Sequence, residues 1–251
     1  MKNLKVGLLG LSDPVSVPHD LVHTLKQAGI QVEVSPLLDK MCTPSDRAQI
    51  WNAWMESGQF DWIFDVSGGN LSTLTLPFLH LESYMKVKTV FAGYSDITPI
   101  LNALWTAGKG SVLFSARQNI GELVEYLLCG DESLFDCGVD GVVLGGNLRC
   151  LLKLAGTEYW PELDGEVLLL EANSGTITQL QSMTAQLVNM GMFDEIQTLV
   201  LGQFSQAGND VGRAVIIDTL RSMNAKLPKI MFTDWIGHAP GSRAVWIGEK
   251  L

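Results

Sequence analysis

Residues 87–108 read VKTVFAGYSDITPILNALWTAG, and this stretch contains the local pattern that decides the fold. The apolar run over 87–92 predicts a strand, and the segment over 98–108 is typical of a helix that ends at a glycine. Other strand-and-helix pairs precede this stretch along the chain. Strands and helices that alternate at this spacing predict an α/β fold, in which helices cover both faces of a parallel sheet.

The rest of the chain divides into two parts. In the first part, we predict helices over 18–28 and 74–81, a helix after 44–46, and strands over 5–11, 30–34 and 62–66. In the second part, we predict helices over 122–129 and 177–190 and strands over 139–144, 167–170, 196–201 and 230–235. This pattern predicts an N-terminal, Rossmann-like parallel-sheet domain over 1–118, a linker over 119–138 and a smaller C-terminal α/β domain over 139–251.

The composition excludes several classes of protein. Hydrophobic residues make up 47% of the 251 residues and charged residues 18%, which is typical of a compact globule. The net charge is −10 and no basic patch is visible, so neither nucleic acid nor a membrane is an expected partner. No segment approaches the ~20 apolar residues of a membrane span, and the short apolar run near the N-terminus is interpreted as a strand rather than a signal peptide. We therefore expect a cytoplasmic protein.

Metal-binding patterns are weak in this sequence. His19 and His23 are four residues apart on a predicted helix, as in some zinc sites, but no clear third ligand follows. No Cys-x-x-Cys pair occurs among the four cysteines, which we interpret as reduced thiols: Cys42, Cys129, Cys137 and Cys150. We expect neither a metal nor a cofactor.

Ser95 has two possible roles in the stretch FAGYSDIT at 91–98. A serine between a strand and a helix can cap the helix. It can also be a nucleophile on a sharp turn, where free N–H groups face a substrate carbonyl. Gly93 matches the first glycine of a Gly-x-Ser-x-Gly turn, but Ile97 replaces the second. Taken alone, this octapeptide favours the cap.

Three further positions are candidates for a site at the carboxyl ends of strands, where parallel sheets bind ligands. The pair Gly68-Gly69 follows a predicted strand, and it either makes a tight turn or lets N–H groups approach an anion. Glu171 ends the predicted strand VLLLE and is either a solvated strand end or a partner for a histidine. His238 lies in a loop rich in glycine and proline. Sequence spacing alone cannot decide these roles.

An ordered set of motifs resembles the LD-carboxypeptidases, serine peptidases that cut an L,D-amide in muropeptides, and their relatives that confer immunity to microcin C. The motifs cover most of the chain in the family's order: GGNLSTLTLPFL at 68–79, GYSDIT at 93–98, GGNL at 145–148, GT at 156–157, GEVLLLE at 165–171, LVLGQF at 199–204, GH at 237–238 and WIG at 246–248. No single motif is specific, but their order is.

The resemblance implies a role for each candidate residue. Ser95 would be the nucleophile, His238 its general base and Glu171 the residue that orients the imidazole. The backbone N–H of Asp96, together with one from Gly68 or Gly69, would form the oxyanion hole. The family's fold implies an active site in the cleft between the two domains, and a homodimer.

The implied activity is release of terminal D-alanine from muropeptides in cell-wall recycling, through an acyl-enzyme. One alternative substrate is a peptidyl- or aminoacyl-nucleotide, on whose base Trp160 could stack, unless Trp160 is a core residue. Another alternative is a catalytically silent module of the same fold that binds a small ligand. The enzyme hypothesis requires His238 to reach both Ser95 and Glu171, directly or after modest closure of the cleft.

The sequence departs from the family's pattern at several places. Ser67 stands where many members have an arginine, and the segment SVLFSARQ at 111–118 lacks a usual Gly-Pro. Ala172 follows Glu171 where an acidic residue is common, and the chain ends soon after the WIG motif. Because the 111–118 segment lines the cleft in relatives, these departures bear on substrate choice more than on the chemistry.

Overall fold

The computed structural model describes residues 4–163 and 166–248. Gly165 of the GEVLLLE motif lies outside these residues, and so do the outermost ends of the two predicted domains, at 1–3 and 249–251.

The ten strands of the described residues form two sheets. They are β1 (Lys5–Leu9), β2 (Gln31–Val34), β3 (Trp62–Asp65), β4 (Val90–Gly93), β5 (Ser111–Leu113), β6 (Val143–Asn147), β7 (Val167–Ala172), β8 (Thr198–Phe204), β9 (Lys229–Phe232) and β10 (Val245–Ile247). The first sheet has the order β10-β5-β4-β3-β1-β2 and the second has the order β6-β7-β8-β9. All neighbouring strands are parallel except β10, which is antiparallel to β5.

The α-helices of the described residues are α1 (His19–Gln27), α2 (Pro44–Ser57), α3 (Ser72–Thr75), α4 (Leu81–Met85), α5 (Thr98–Thr106), α6 (Ile120–Cys129), α7 (Leu148–Leu151), α8 (Ile177–Asn189), α9 (Met192–Glu195) and α10 (Asn209–Ser222). Short 3₁₀ turns occur at Leu76–Phe78, Ser95–Ile97, Glu132–Phe135 and Leu152–Leu154. The predicted α/β fold is confirmed: the first sheet is mostly parallel and the second is parallel. None of the described helices combines the length and apolar composition needed to cross a bilayer.

Helices cover both faces of the first sheet, because successive residues of a strand point to opposite faces. Leu8 packs in one cluster of buried residues with side chains of α1 and α6. Its neighbour Leu9 packs in the other cluster, with side chains of α2 and α5. That second cluster continues into the second sheet through Leu168, Leu169 and Leu170, so one apolar core holds the two sheets together.

The chain crosses between the two sheets more than once. The predicted linker contains α6, whose Leu123 and Leu127 are buried against the first sheet together with Leu134. Strand β10 returns from the C-terminal part to the edge of the first sheet, and Gly248 then bridges to Val143 of the second. The division at 118 and 139 stays a prediction.

The helix predicted over 74–81 is wrong. The segment contains α3, the 3₁₀ turn Leu76–Phe78 and then α4, which begins at Leu81. Pro77 has no N–H to donate within a helix, and Leu79 is extended, with ψ of 131°. The sequence pattern also did not predict α10 and β10. Gly212 and several β-branched residues weaken the helical pattern of α10, and β10 has three residues only.

Gly212 tests the contact between α10 and the second sheet. A Cβ at this position would lie 2.4 Å from the Cβ of Phe204 in β8, a distance that forces the helix or the strand to shift. We expect Gly212→Ala to lower the free energy of unfolding by about 1–3 kcal/mol, as measured by chemical denaturation.

The matched control is Gly121→Ala in α6, where a Cβ would have no neighbour within 4 Å. This substitution is expected to leave stability unchanged or to raise it by up to about 1 kcal/mol, because alanine favours a helix more than glycine does. A similar loss in both variants would contradict close packing at Gly212.

Candidate functional site

The carboxyl ends of β3 and β4 bring the first candidate residues together. These strands are parallel neighbours, with Trp62 paired to Val90 and Phe64 to Ala92. The loop after β3 contains Gly68 and Gly69, and the turn after β4 contains Ser95. A Cβ built on Gly68 would lie 3.9 Å from the Ser95 Oγ, so the glycine loop borders the serine side chain directly.

Ser95 lies on a strained turn. Its φ is 57°, in the left-handed region that a non-glycine residue seldom adopts. The turn is compact, because a Cβ on Gly93 would lie 2.5 Å from the Ile97 Cγ2. Ile97 therefore fills the space above Gly93 instead of providing a second glycine. A left-handed serine between a strand and a helix is the geometry of a nucleophile elbow.

The Ser95 side chain does not cap a helix. Helix α5 begins at Thr98, and no side chain caps it. The Thr98 hydroxyl instead donates a hydrogen bond of 2.8 Å to the Ser95 carbonyl. Within the described residues the Ser95 Oγ makes no hydrogen bond, so its hydroxyl is available to a substrate.

Asp96 anchors the turn through its side chain, which is fully buried. Its Oδ2 accepts hydrogen bonds of 2.6 Å from the Ser12 hydroxyl and 3.0 Å from the Ser72 N–H, while Lys153 pairs with Oδ1. Burial by itself would raise the pKa of Asp96. The hydrogen bonds from Lys153, Ser12 and Ser72, together with the charge of Lys153, outweigh burial and hold this pKa below its ordinary value of 3.8.

The glycine loop is held from one side by Asp13. The Asp13 N–H donates to the Gly68 carbonyl at 3.1 Å, and its Oδ1 accepts from the Asn70 N–H at 3.3 Å. Gly69 has φ of 120°, and a Cβ there would lie 2.1 Å from the Asp13 Oδ2. In a trans peptide the N–H points away from the preceding carbonyl, so the Gly69 N–H faces away from Asp13.

Glu171 and His238 form a hydrogen-bonded pair at the end of β7. The His238 Nδ1 lies 2.9 Å from the Glu171 Oε2, and Glu171 is fully buried. The other carboxylate oxygen, Oε1, accepts a hydrogen bond of 3.0 Å from the Asn147 side-chain amide. The carboxylate is thereby paired on both oxygens, as a buried charge must be.

Tyr94 joins this pair to the Ser95 turn. Its hydroxyl lies 3.1 Å from the His238 Nδ1, and the two rings pack with centroids 4.6 Å apart. Burial, followed by the charge of Glu171 and a hydrogen bond to it, raises the pKa of Tyr94 well above its ordinary value. Tyr94 therefore stays a neutral phenol beside the carboxylate.

One bond expected at this site is not formed. The His238 Nε2 is buried and has no hydrogen-bond partner among the residues that the structure describes. The structure thus joins His238 to Glu171 and places Ser95 beside Gly68, while Ser95 and His238 do not hydrogen bond to each other. Because Tyr94 is the chain neighbour of Ser95 and its hydroxyl contacts His238, Ser95 and His238 lie in the same part of the structure.

The sequence patterns did not identify Tyr94, Asn147 and Lys153 as residues of the site. Asn147 ends the GGN motif, and its N–H donates to the Thr98 hydroxyl at 3.1 Å. Asn102 of α5 forms two hydrogen bonds of 2.9 Å with the backbone of Gly145, one through its amide and one through its carbonyl. The helix that follows Ser95 is therefore fixed to the strand end that carries Asn147. The sequence signal that could have identified Tyr94 and Asn147 is their position inside the motifs GYSDIT at 93–98 and GGNL at 145–148.

The two histidines of α1 lie apart from this site. His19 and His23 are both exposed on the helix surface. Among the described residues, no group of three histidine, cysteine or carboxylate side chains could hold a metal ion.

Family models match both halves of the chain. Residues 6–114 match the LD-carboxypeptidase N-terminal domain, and residues 140–251 match the LD-carboxypeptidase C-terminal domain. The microcin C7 self-immunity protein MccF of Escherichia coli is 25% identical over an alignment 211 residues long, which covers 64% of this chain and 61% of MccF. The chain thus matches about 61% of the length of that relative.

Two solved structures share the fold. Wild-type MccF in its apo state superposes with a TM-score of 0.84 at 19% identity, covering 98% of this chain and 91% of that one. Muramoyltetrapeptide carboxypeptidase from Oxalobacter formigenes superposes with a TM-score of 0.80 at 22% identity, covering 97% of this chain and 92% of that one.

Lys153 is expected to stabilise the fold through Asp96. In Lys153→Met, a fully buried carboxylate loses its cation, so the free energy of unfolding at pH 7 should fall by about 3 kcal/mol. Because the folded-state pKa of Asp96 is below 3.8, its contribution is complete above that pH and is lost as the pH falls through the lower folded value. The loss caused by Lys153→Met should therefore shrink in strong acid. Denaturation of wild type and variant across pH measures both effects.

Lys40→Met is the matched control, because Lys40 is exposed and its side chain has no described partner. Its expected effect is within about 0.5 kcal/mol at every pH. If the two variants were equally stable, the Lys153–Asp96 pair would contribute nothing.

Asn147 is expected to support the buried charge of Glu171. Asn147→Ser retains an oxygen that can cap α7 but removes the amide that donates to the Glu171 Oε1. Leaving this oxygen without a donor should lower the free energy of unfolding by about 2 kcal/mol, as measured by chemical denaturation.

The control for this substitution is Asn173→Ser, two residues after Glu171 at an exposed position. It should change stability by less than about 0.5 kcal/mol. Equal effects of the two substitutions would mean that the Asn147 amide does not stabilise the carboxylate.

Proposed function

The chain belongs to the LD-carboxypeptidase family, and on that premise we propose that it is a serine peptidase that hydrolyses an L,D-amide through an acyl-enzyme on Ser95. The proposed reaction releases terminal D-alanine from muropeptides. The observation that carries the proposal is the buried Glu171–His238 hydrogen bond at Nδ1, while Nε2 of the same ring has no hydrogen-bond partner among the described residues.

In the proposed first step, the His238 Nε2 removes the proton from the Ser95 hydroxyl as Oγ attacks the scissile carbonyl carbon. A serine hydroxyl needs such a base, and a neutral imidazole has suitable basicity near pH 7. Glu171 holds the proton on Nδ1 and stabilises the imidazolium that forms. The step requires the Ser95 hydroxyl and the His238 Nε2 to come within hydrogen-bond distance, since the two groups are not hydrogen bonded in this structure.

The carbonyl oxygen becomes an oxyanion in this step. We propose that the Asp96 N–H stabilises it together with an N–H of the glycine loop, either Gly68 or Gly69. The orientation of the Gly69 N–H away from Asp13 supports this role. One such donor is worth roughly 3–4 kcal/mol of barrier in a well-studied serine protease.

The tetrahedral intermediate then collapses. The C–N bond breaks, and His238 gives its proton to the nitrogen of the leaving D-alanine. Water then attacks the Ser95 ester with His238 again accepting a proton, which releases the shortened peptide and restores the serine.

A second candidate substrate is a peptidyl- or aminoacyl-nucleotide. Structures of MccF contain aspartyl sulfamoyl adenosine and glutamyl sulfamoyl guanosine, and this favours testing such conjugates. Trp160, the residue considered for stacking on a base, is partly buried and packs against the main core. We also propose, from the family alone, that the protein acts in the cytoplasm as a homodimer in peptidoglycan recycling.

Ser95→Ala tests the proposed nucleophile. Purified wild type is expected to release D-alanine from a tetrapeptide that ends in D-alanine, and Ser95→Ala should lower kcat at least about a thousandfold. Amino-acid analysis of the products measures release, and circular dichroism checks that the variant is folded.

Ser205→Ala, at an exposed position, is the matched control and should retain wild-type activity. Release by both wild type and Ser95→Ala would remove Ser95 from the mechanism. Cleavage of nucleotide conjugates but not of the tetrapeptide would favour the second substrate. Binding without cleavage of either would indicate a silent binding module.

A further inference from the structure

Two cations from the C-terminal part of the chain reach over the glycine loop. The Arg149 Nη1 donates to the Asn70 Oδ1 at 2.5 Å, and its Nη2 donates to the Gly69 carbonyl at 3.2 Å. Lys153, one helical turn further, donates to the Asn70 carbonyl at 3.2 Å and pairs with Asp96. Both cations therefore stand at the loop that borders the Ser95 Oγ.

The charges of these two side chains are compensated differently. Lys153 is neutralised by the buried carboxylate of Asp96. Both contacts of Arg149 are to neutral oxygens, and no carboxylate of a described residue lies within 4.0 Å of its guanidinium. Asp13, whose side chain contacts this loop, hydrogen bonds to the Asn70 N–H instead. Arg149 is thus a half-buried cation without an anionic partner in the part of the chain that the structure describes.

The substrate of the proposed reaction carries an anion, its free terminal carboxylate, close to the bond that Ser95 attacks. In a peptide that loses its last residue, the terminal carboxylate carbon is three bonds from the scissile carbonyl carbon, a distance of about 4 Å. A group that recognises the free carboxylate must therefore lie beside the nucleophile. Gly69, whose carbonyl Arg149 contacts, adjoins the glycine that borders Ser95.

We propose that Arg149 binds the free terminal carboxylate of the substrate and thereby selects peptides with an uncapped C-terminal residue. This inference rests on the proposed function and adds the recognition element to it. The planar guanidinium can hold both carboxylate oxygens, which would replace the neutral Asn70 side chain as its partner. Arg149 is a specificity residue in this proposal, since its contact is with the part of the substrate that does not react.

The test compares two tetrapeptides that differ only at the C-terminus, one ending in D-alanine and the other in D-alaninamide. Wild type should cleave the free acid with a kcat/KM about ten to a hundred times higher, as expected for a hydrogen bond between charged groups. Arg149→Met should bring this ratio close to one by lowering kcat/KM for the acid. Arg149→Lys should give a ratio between those of Arg149→Met and wild type, since lysine restores the positive charge but cannot donate to both carboxylate oxygens in the way a planar guanidinium does.

A purely structural role predicts a different result. If Arg149 only holds the glycine loop in place, Arg149→Met lowers kcat/KM for both peptides equally and the ratio stays at its wild-type value. That outcome overturns the proposal. Arg221→Met, which removes an exposed arginine near the end of α10, is the matched control and should leave both kcat/KM values unchanged.

Binding to Ser95→Ala separates this inference from the proposed chemistry. Calorimetry should show tighter binding of the acid than of the amide to Ser95→Ala, and equal binding to the double variant Ser95→Ala, Arg149→Met. Equal binding of acid and amide to Ser95→Ala overturns the carboxylate site. Discrimination by Ser95→Ala with no cleavage by wild type retains the site and rejects the proposed reaction instead.

Discussion

The buried carboxylate of Asp96 is the interaction on which the site depends. A charge removed from water must be paired, and Asp96 draws its partners from three separate segments: Ser12 after β1, Ser72 at the start of α3, and Lys153 after α7. These segments can satisfy one carboxylate only if they converge beside Ser95. The left-handed turn of Ser95 is held in place by this convergence, because the residue that follows it cannot move without breaking several charged hydrogen bonds.

Two further buried carboxylates support the neighbouring strand ends. Asp65, at the end of β3, accepts from the Leu11 N–H at 2.7 Å and from the Ser67 N–H at 2.8 Å, and so ties the loop after β1 to the glycine loop. Burial raises the pKa of Asp65 to about 6, in spite of these hydrogen bonds. Glu171, at the end of β7, has Asn147 and His238 as partners. Of the three, Glu171 alone contacts a histidine, which is the geometry that base catalysis requires.

The fold and much of the site could be predicted from the sequence because their signals are local. The alternation of apolar strands and helices predicted a parallel sheet, and parallel strands bring their carboxyl ends to one edge. Gly68, Gly69 and Ser95 each follow a predicted strand, so they were expected at the same edge of the sheet, and the pairing of β3 with β4 makes them neighbours. The helix over 74–81 failed as a prediction because Pro77 interrupts the backbone hydrogen bonds within an otherwise apolar segment. Strand β10 was missed because three residues carry little pattern, and pairing with β5 decides its structure.

The sequence by itself determined the class of fold, the strand-to-helix turn at Ser95 and, through the order of its motifs, the family. Only the tertiary structure decided which side chains meet. His238 is 67 positions from Glu171 and 144 from Tyr94, and no spacing rule connects residues so far apart. The partners of Asp96, Glu171 and Arg149 come from segments that are distant in sequence. They meet because the packing of two sheets into one apolar core brings these segments together, and because each buried charge is stable only where the partners for it converge.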